Sequence, residues 1–169
     1  MESSKQIHPK LSIVQDLFGS WVGMGSGEYP TIKSFKYQDS ISFSSTGQPF
    51  LFMIQQTKNF ETSMPMHGES GYLQVFDNDK IEAVFCHAKG LTEISEGTLN
   101  AENGELVIEL ESKAINRISH ASSPFVTQIR RKIRVQNDEL HYTIDMATES
   151  NPVLTKHLEA VLHRQHLCN

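Results

Sequence analysis

FVTQIRRKIRVQNDELHYTIDM, residues 125–146, alternates almost without a break. Its odd positions Phe125, Thr127, Ile129, Arg131, Ile133 and Val135 are mostly apolar, whereas Gln128, Arg130, Lys132 and Arg134 are polar or charged. Side chains of a strand point to opposite faces with period 2, so one face of this segment lies against a core and the other in water. After Gln136-Asn137-Asp138 the apolar parity passes to Leu140, Tyr142, Ile144 and Met146, set against Glu139, His141, Thr143 and Asp145. Two alternating runs joined by a short polar connection read as a β-hairpin.

The same alternation extends toward the N-terminus. Leu106, Ile108 and Leu110 alternate with Glu105, Glu109 and Glu111, and Ile81, Ala83 and Phe85 alternate with Lys80, Glu82 and the small Val84/Cys86 pair. Turn residues punctuate the runs at Thr46 to Pro49, Asp77-Asn78-Asp79, Lys89-Gly90, Asn100 to Gly104 and Ser122-Ser123-Pro124. Short, evenly spaced strands with polar turns define an all-β sandwich or up-and-down barrel, and the pattern favours a barrel. With eight strands or more, a barrel has room for a small ligand inside. Helical spacing occurs in two places only. In His8 to Phe18 the residues Leu11, Val14, Leu17 and Phe18 share a face; in Pro152 to Arg164 the face is made by Leu154, His157, Leu158 and Val161 or Leu162. Short N- and C-terminal helical segments are therefore expected.

Composition sets the outer bounds. With 169 residues, 38% apolar and 21% charged, the chain is expected to form one globular domain over 1–169, having no repeat or linker to divide it. Its longest apolar run, Phe50 to Ile54, is far short of the ~18 residues a membrane-spanning helix needs. A net charge of −5 without a basic block argues against nucleic acid as a partner. The polar opening Met1 to Lys5 has no secretory h-region, and Cys86 and Cys168 lack the spacing of a zinc site or a disulfide framework. A cytoplasmic protein with reduced thiols is the expectation.

Several residues could carry chemistry. Arg131 has inward parity between Ile129 and Ile133, so it is either a buried ion pair or an anchor for a ligand carboxylate. His157 lies on the apolar face of the expected C-terminal helix, either as a satisfied core histidine or as a neutral ligand of the kind haem iron takes. On that helix His157 and His163 would stand ~120° apart and could not share an ion; His163 and His166 could, although an exposed polar tail explains them better. His67, in the turn-rich Met64 to Gly71, is read outside any strand core, either fixing a turn through Glu69 or forming a catalytic pair with it, with Met64 and Met66 as pocket lining or filler. The glycines of Gly19 to Gly27 mimic a phosphate loop, but no helix follows; a first strand with Trp21 plugging one barrel end accounts for them better.

Taken in order, Gly19-x-Trp21-x-Gly23-x-Gly25, Tyr29-Pro30-Thr31-Ile32, Pro65-Met66-His67 with Glu69 and Gly71, Gly90 to Ile94 with Glu96-Gly97, and Met146-Ala147-Thr148 with His157-Leu158 and Ala160 to Leu162 resemble the nitrobindin family over nearly the whole chain. The resemblance implies a ten-stranded antiparallel barrel, lipocalin-like and fatty-acid-binding-protein-like, that holds one haem b. It implies His157 as axial iron ligand and catalytic residue, and Thr31 as a haem contact. Arg131 matches a recurring family arginine and is included among the candidate cofactor-binding residues. The implied activity is isomerisation of peroxynitrite to nitrate on ferric haem, with nitric oxide as a further ligand. The rival readings are a carrier of a fatty acid or other apolar anion, clamped by Arg131, and a nitric-oxide sensor without turnover. Some family members add a DNA-binding finger, for which this chain has no Cys/His spacing.

Overall fold

The computed structural model describes residues 7–166 and shows a closed antiparallel barrel of ten strands. They are β1 (Gly19–Tyr29), β2 (Ile32–Ser44), β3 (Phe50–Asn59), β4 (Pro65–Phe76), β5 (Lys80–His87), β6 (Leu91–Glu102), β7 (Glu105–Arg117), β8 (Val126–Gln136), β9 (Glu139–Thr148) and β10 (Asn151–Arg164). Each strand pairs with its neighbours in sequence, and β10 pairs with β1 to close the ring. The up-and-down barrel expected from the alternation is thus the fold. Met1 to Lys5 and Cys168 lie outside the described residues, and no helix among the described residues is long and apolar enough to cross a membrane.

The 125–146 hairpin takes the form its pattern dictates. β8 and β9 pair from Gln136↔Glu139 upward, and Asn137 and Asp138 turn the chain with φ of 50° and 60°. Asn and Asp tolerate this left-handed region better than other residues bearing a Cβ, which is why the turn falls there. Asn78-Asp79 and Asn103-Gly104 make the same kind of turn between β4 and β5 and between β6 and β7.

One end of the barrel is closed. The N-terminal segment Pro9–Leu17 is helical as expected, though 3-10 in form, and buries Leu11, Val14 and Leu17. The Trp21 indole N–H donates to the Leu17 carbonyl at 2.8 Å, and the Arg164 guanidinium lies 4.2 Å from the centre of its ring. Leu51, Leu73, Ile81, Leu106, Leu140 and Leu162 fill this end and are essentially without solvent contact.

The C-terminal segment is not a helix. Residues 151–164 form β10, the strand that seals the barrel. Leu158, Ala160 and Leu162 face inward at strand spacing, while Val161 and His163 are exposed. The helix-like spacing of Leu154, His157 and Leu158 arises because pairing with β9 steps from Lys156↔Asp145 to Leu158↔Ile144 and leaves His157 as an extra residue. Such a bulge interrupts period 2 and re-aims a side chain. The expected angle between His157 and His163 lapses with the helix; His166, exposed, faces Asp138 at 3.5 Å. Residues 65–71 also depart from the expectation. They are the first half of β4, where polar residues face inward because the interior there is itself polar.

Candidate functional site

His157 stands in the half of the barrel opposite the helical plug. Its Nδ1 lies 3.1 Å from the Glu28 carbonyl, and a neutral imidazole donating there leaves Nε2 as the free, basic nitrogen. Tyr29 and Phe35 hold the ring edge to face, with centroids 5.6 and 6.4 Å away. Tyr29 is in turn fixed by its hydroxyl, which donates to the Met146 carbonyl at 3.2 Å and accepts from the Asn151 amide at 3.2 Å. Burial pushes the His157 pKa below its usual value, partly offset by the Glu28 carbonyl and reinforced by His67. The imidazole is therefore uncharged at neutral pH, the form that binds a metal.

Two glycines of the first strand shape this wall. Gly25 is opposite Tyr37 and Gly27 opposite Phe35, and a Cβ on Gly27 would fall 2.1 Å from the tip of the Phe35 ring. The missing side chains let the aromatic rings of β2 lie across β1, which brings Phe35 to His157. A Gly27→Ala variant is expected to swing Phe35 aside, at a cost below the roughly 1–3 kcal/mol of an overpacked core because the ring can move. A thermal melt close to that of the unsubstituted protein, combined with a displaced His157 ring signal in the NMR spectrum, is the expected outcome.

Beyond the rings lies a buried polar group. Tyr142 donates to Asp39 Oδ2 at 2.5 Å, Gln55 Nε2 donates to the same oxygen at 2.7 Å, and the Tyr37 and Tyr142 hydroxyls meet at 2.9 Å. Asp39 Oδ1 is buried with no hydrogen-bond partner among the described residues. Burial raises the Asp39 pKa from 3.8 to about 6, against the lowering effect of the Tyr142 and Gln55 bonds. The folded protein thus holds a proton there that the unfolded chain releases near pH 4. This contribution to stability grows as pH falls from about 7 to 5 and is absent above the folded value. Denaturant midpoints measured over that range are expected to show a component that rises toward pH 5 and that Asp39→Asn removes.

Arg131 does enter the interior, and all three guanidinium nitrogens are engaged. Nη1 and Nη2 donate to Glu69 at 2.6 and 3.0 Å, while Nη2 and Nε donate to Glu93 at 2.7 and 3.2 Å. The guanidinium also stacks on Phe85, 4.5 Å from the ring centre. This is the ion-pair arrangement rather than an open fork awaiting a carboxylate. His67 Nε2 lies 3.2 Å from Glu69 Oε2, as the expected His-Glu contact requires. Thr31 occupies the exposed two-residue turn between β1 and β2, on the same rim as Glu28 and His157. Thr31 and His157 are therefore brought to one rim, whereas Arg131 lies deeper, with its own partners.

An antiparallel barrel plugged at one end, with an oriented neutral imidazole in the other half, defines the chain as a ligand-holding β-barrel. The chain belongs to the THAP4-like, heme-binding beta-barrel domain family, the nitrobindins, whose model matches residues 10–164. It is 42% identical over 163 residues to a peroxynitrite isomerase of Nocardia farcinica, covering 96% of this chain and 95% of the relative. It is 39% identical over 163 residues to peroxynitrite isomerase 1 of Mycobacterium tuberculosis, covering 96% and 99%. Among solved structures, Rv2717c from M. tuberculosis superposes with a TM-score of 0.90 at 38% identity over 95% of this chain and all of that one. The S-type phycobiliprotein lyase CPES from Guillardia theta, at 11% identity and a TM-score of 0.61 over 91% of each chain, shares the fold alone.

Proposed function

We propose that the chain binds one haem b through His157 and, with the iron ferric, isomerises peroxynitrite to nitrate in the cytosol, with nitric oxide as a second small ligand. The observation that carries this reading is the His157 bulge: a neutral imidazole, tethered through Nδ1 to a backbone carbonyl, presents Nε2 from an otherwise apolar wall. The surroundings fit a flat apolar group. Phe35, Met66, Ile144 and Leu158 are apolar yet only partly buried, packed against the core without being covered by it. The names of the Nocardia and Mycobacterium relatives support the reaction.

Bound ferric haem would supply an open coordination position with Lewis acidity toward a peroxynitrite oxygen. The chain's own part is placement and exclusion. The Glu28 carbonyl fixes the tautomer and orientation of His157, and Tyr29 and Phe35 stop its ring from rotating. The apolar lining would keep water out of the space beside the bound group. Isomerisation conserves atoms and needs no net proton, so no acid-base pair is demanded of the wall. Thr31 is assigned to the rim contact, and Arg131 to holding the interior wall behind the cofactor. The carrier alternative loses its anchor, because the Arg131 nitrogens are engaged by Glu69 and Glu93.

Titration of the full chain with hemin tests the first half of the proposal, with a Soret band saturating at one equivalent expected. Stopped-flow decay of peroxynitrite tests the second, with acceleration by the ferric protein over protein-free buffer expected. Failure of the band overturns the haem assignment. A band without acceleration overturns the enzymatic one.

A further inference from the structure

A second cluster of ligating side chains lies on the inner face of β4 and β5, with its His67 close enough to His157 to act on that ring's charge. His67 and Glu69 are two residues apart on β4 and share a face, and His87 is the direct cross-strand partner of Glu69. His67 Nε2 and His87 Nδ1 each lie 3.2 Å from the same oxygen, Glu69 Oε2, and the three donor atoms fall within 4.8 Å of one another. On the far side of the ring, His87 Nε2 lies 3.3 Å from Glu93 Oε2. Glu93 is itself immobilised, accepting from the Ser95 hydroxyl at 2.6 Å and from Arg131.

Tautomer chemistry decides what this arrangement wants. His87 has Nδ1 3.2 Å from Glu69 and Nε2 3.3 Å from Glu93, so each ring nitrogen faces a carboxylate, and an imidazole has only one N–H unless it takes up a second proton or a metal cation. The buried charges lead to the same conclusion. Glu69 and Glu93 carry two negative charges and Arg131 one positive, leaving the interior short of positive charge. A proton on an imidazole can supply it, and so can one metal ion that takes all three converging atoms at once.

We propose that His67, Glu69 and His87 form a binding site for a divalent transition-metal ion of the zinc class, with Glu93 as the outer carboxylate that orients His87. Two imidazoles and one carboxylate oxygen are ligands such an ion accepts, and the set leaves a fourth position open. A tetrahedral ion with bonds near 2.1 Å separates its ligand atoms by roughly 3.4 Å, so the Glu69 contacts already stand at the required spacing. Only the two nitrogens have to draw together. Arg131 occupies Glu69 Oε1 at 2.6 Å and also donates to Oε2 at 3.0 Å, so the carboxylate offers an ion one shared oxygen, which holds the affinity below that of a dedicated structural zinc site. The His67 side chain is 32% exposed against 10% for His87, so the open position faces the solvent side, where water completes the shell.

The test uses the full chain as purified, dialysed against a chelator and titrated with zinc chloride by calorimetry and with cobalt chloride by visible absorption. One equivalent of each ion per chain is expected, with cobalt giving the d–d bands of a four-coordinate site. His67→Ala, which leaves the Arg131 ion pairs intact, is expected to abolish the cobalt bands, as is His87→Ala. Glu93→Gln should weaken zinc binding by roughly 10–100-fold. His163→Ala, at an exposed site on the outer face, should change nothing. Absence of stoichiometric binding overturns the proposal, and so do bands that survive His67→Ala and His87→Ala. Circular dichroism of each variant establishes that a loss of binding is not a loss of fold.

Discussion

Substitution of His157 by glycine is expected to remove the Soret band of the hemin-loaded protein at hemin concentrations that saturate the unsubstituted chain. The expectation follows from what the bulge does. Pairing steps over His157, so its backbone carries no register that the neighbouring residues need, and its ring is held from outside β10 by Glu28, Tyr29 and Phe35. Glycine at a bulge costs the barrel little. The loss of affinity should exceed the roughly 10–100-fold that accompanies loss of an outer-shell partner, because in the proposed reading the bond from His157 to the iron is itself removed. The space vacated by the ring lies between two aromatic side chains, so added imidazole should enter it and restore the band. A band that persists in His157→Gly at unchanged hemin affinity would place the ligand elsewhere on the chain.

Replacing Arg131 by methionine is expected to destabilise the barrel by about 3–5 kcal/mol, because Glu69 and Glu93 are then left buried with no cation to neutralise them. Arg131 holds the Glu93 pKa at about 2 and Glu69 lower still, working against the burial that raises both. Carboxylates depressed in this way stabilise the fold fully above their unfolded value near 4.5 and lose that contribution as pH falls toward 2. Acid unfolding of the native protein should therefore set in below about pH 4.5. In Arg131→Met the two carboxyls are expected to protonate on folding, so that denaturant midpoints rise on mild acidification by more than the Asp39 component of the native chain alone. The triple replacement Arg131→Met, Glu69→Gln, Glu93→Gln should recover a large part of the loss, since it removes the stranded charges as well as the pair.

How far these features are legible in the sequence depends on how regular the backbone is. The β8–β9 hairpin and the inward aim of Arg131 follow from period 2, because neither strand is irregular between Gln128 and Gln136. The C-terminal strand is misread as a helix because a single extra residue shifts the parity at His157, and a bulge leaves no mark on composition. The partners of Arg131 are hidden for a different reason. In Leu91 to Ser95 it is Glu93 and Ser95 that are buried and Ile94 that is exposed, which inverts the usual rule that apolar residues point inward. Nothing local reveals that inversion; it is stable only because Arg131, 38 residues away in sequence, supplies the opposite charge. His87 had a clearer signal, since Ile81, Ala83 and Phe85 all face inward and the next residue of that parity is His87. Asp39 lies on the inner parity of β2 with Tyr37 and Ile41, and only the fold brings Gln55 and Tyr142 to it.

A closed cylinder of hydrogen-bonded strands is stiff along its strands, but its cross-section can flatten without breaking a ladder bond, much as a hoop becomes an ellipse. Arg131 on β8 grips Glu69 on β4 and Glu93 on β6, neither of which is adjacent to β8 in the ring. It acts as a tie rod across a chord of the hoop. Ovalisation along that chord would have to stretch charge-assisted bonds of 2.6 and 2.7 Å in a medium with little water to replace them. The bore of the barrel is thereby held to one calibre along that chord.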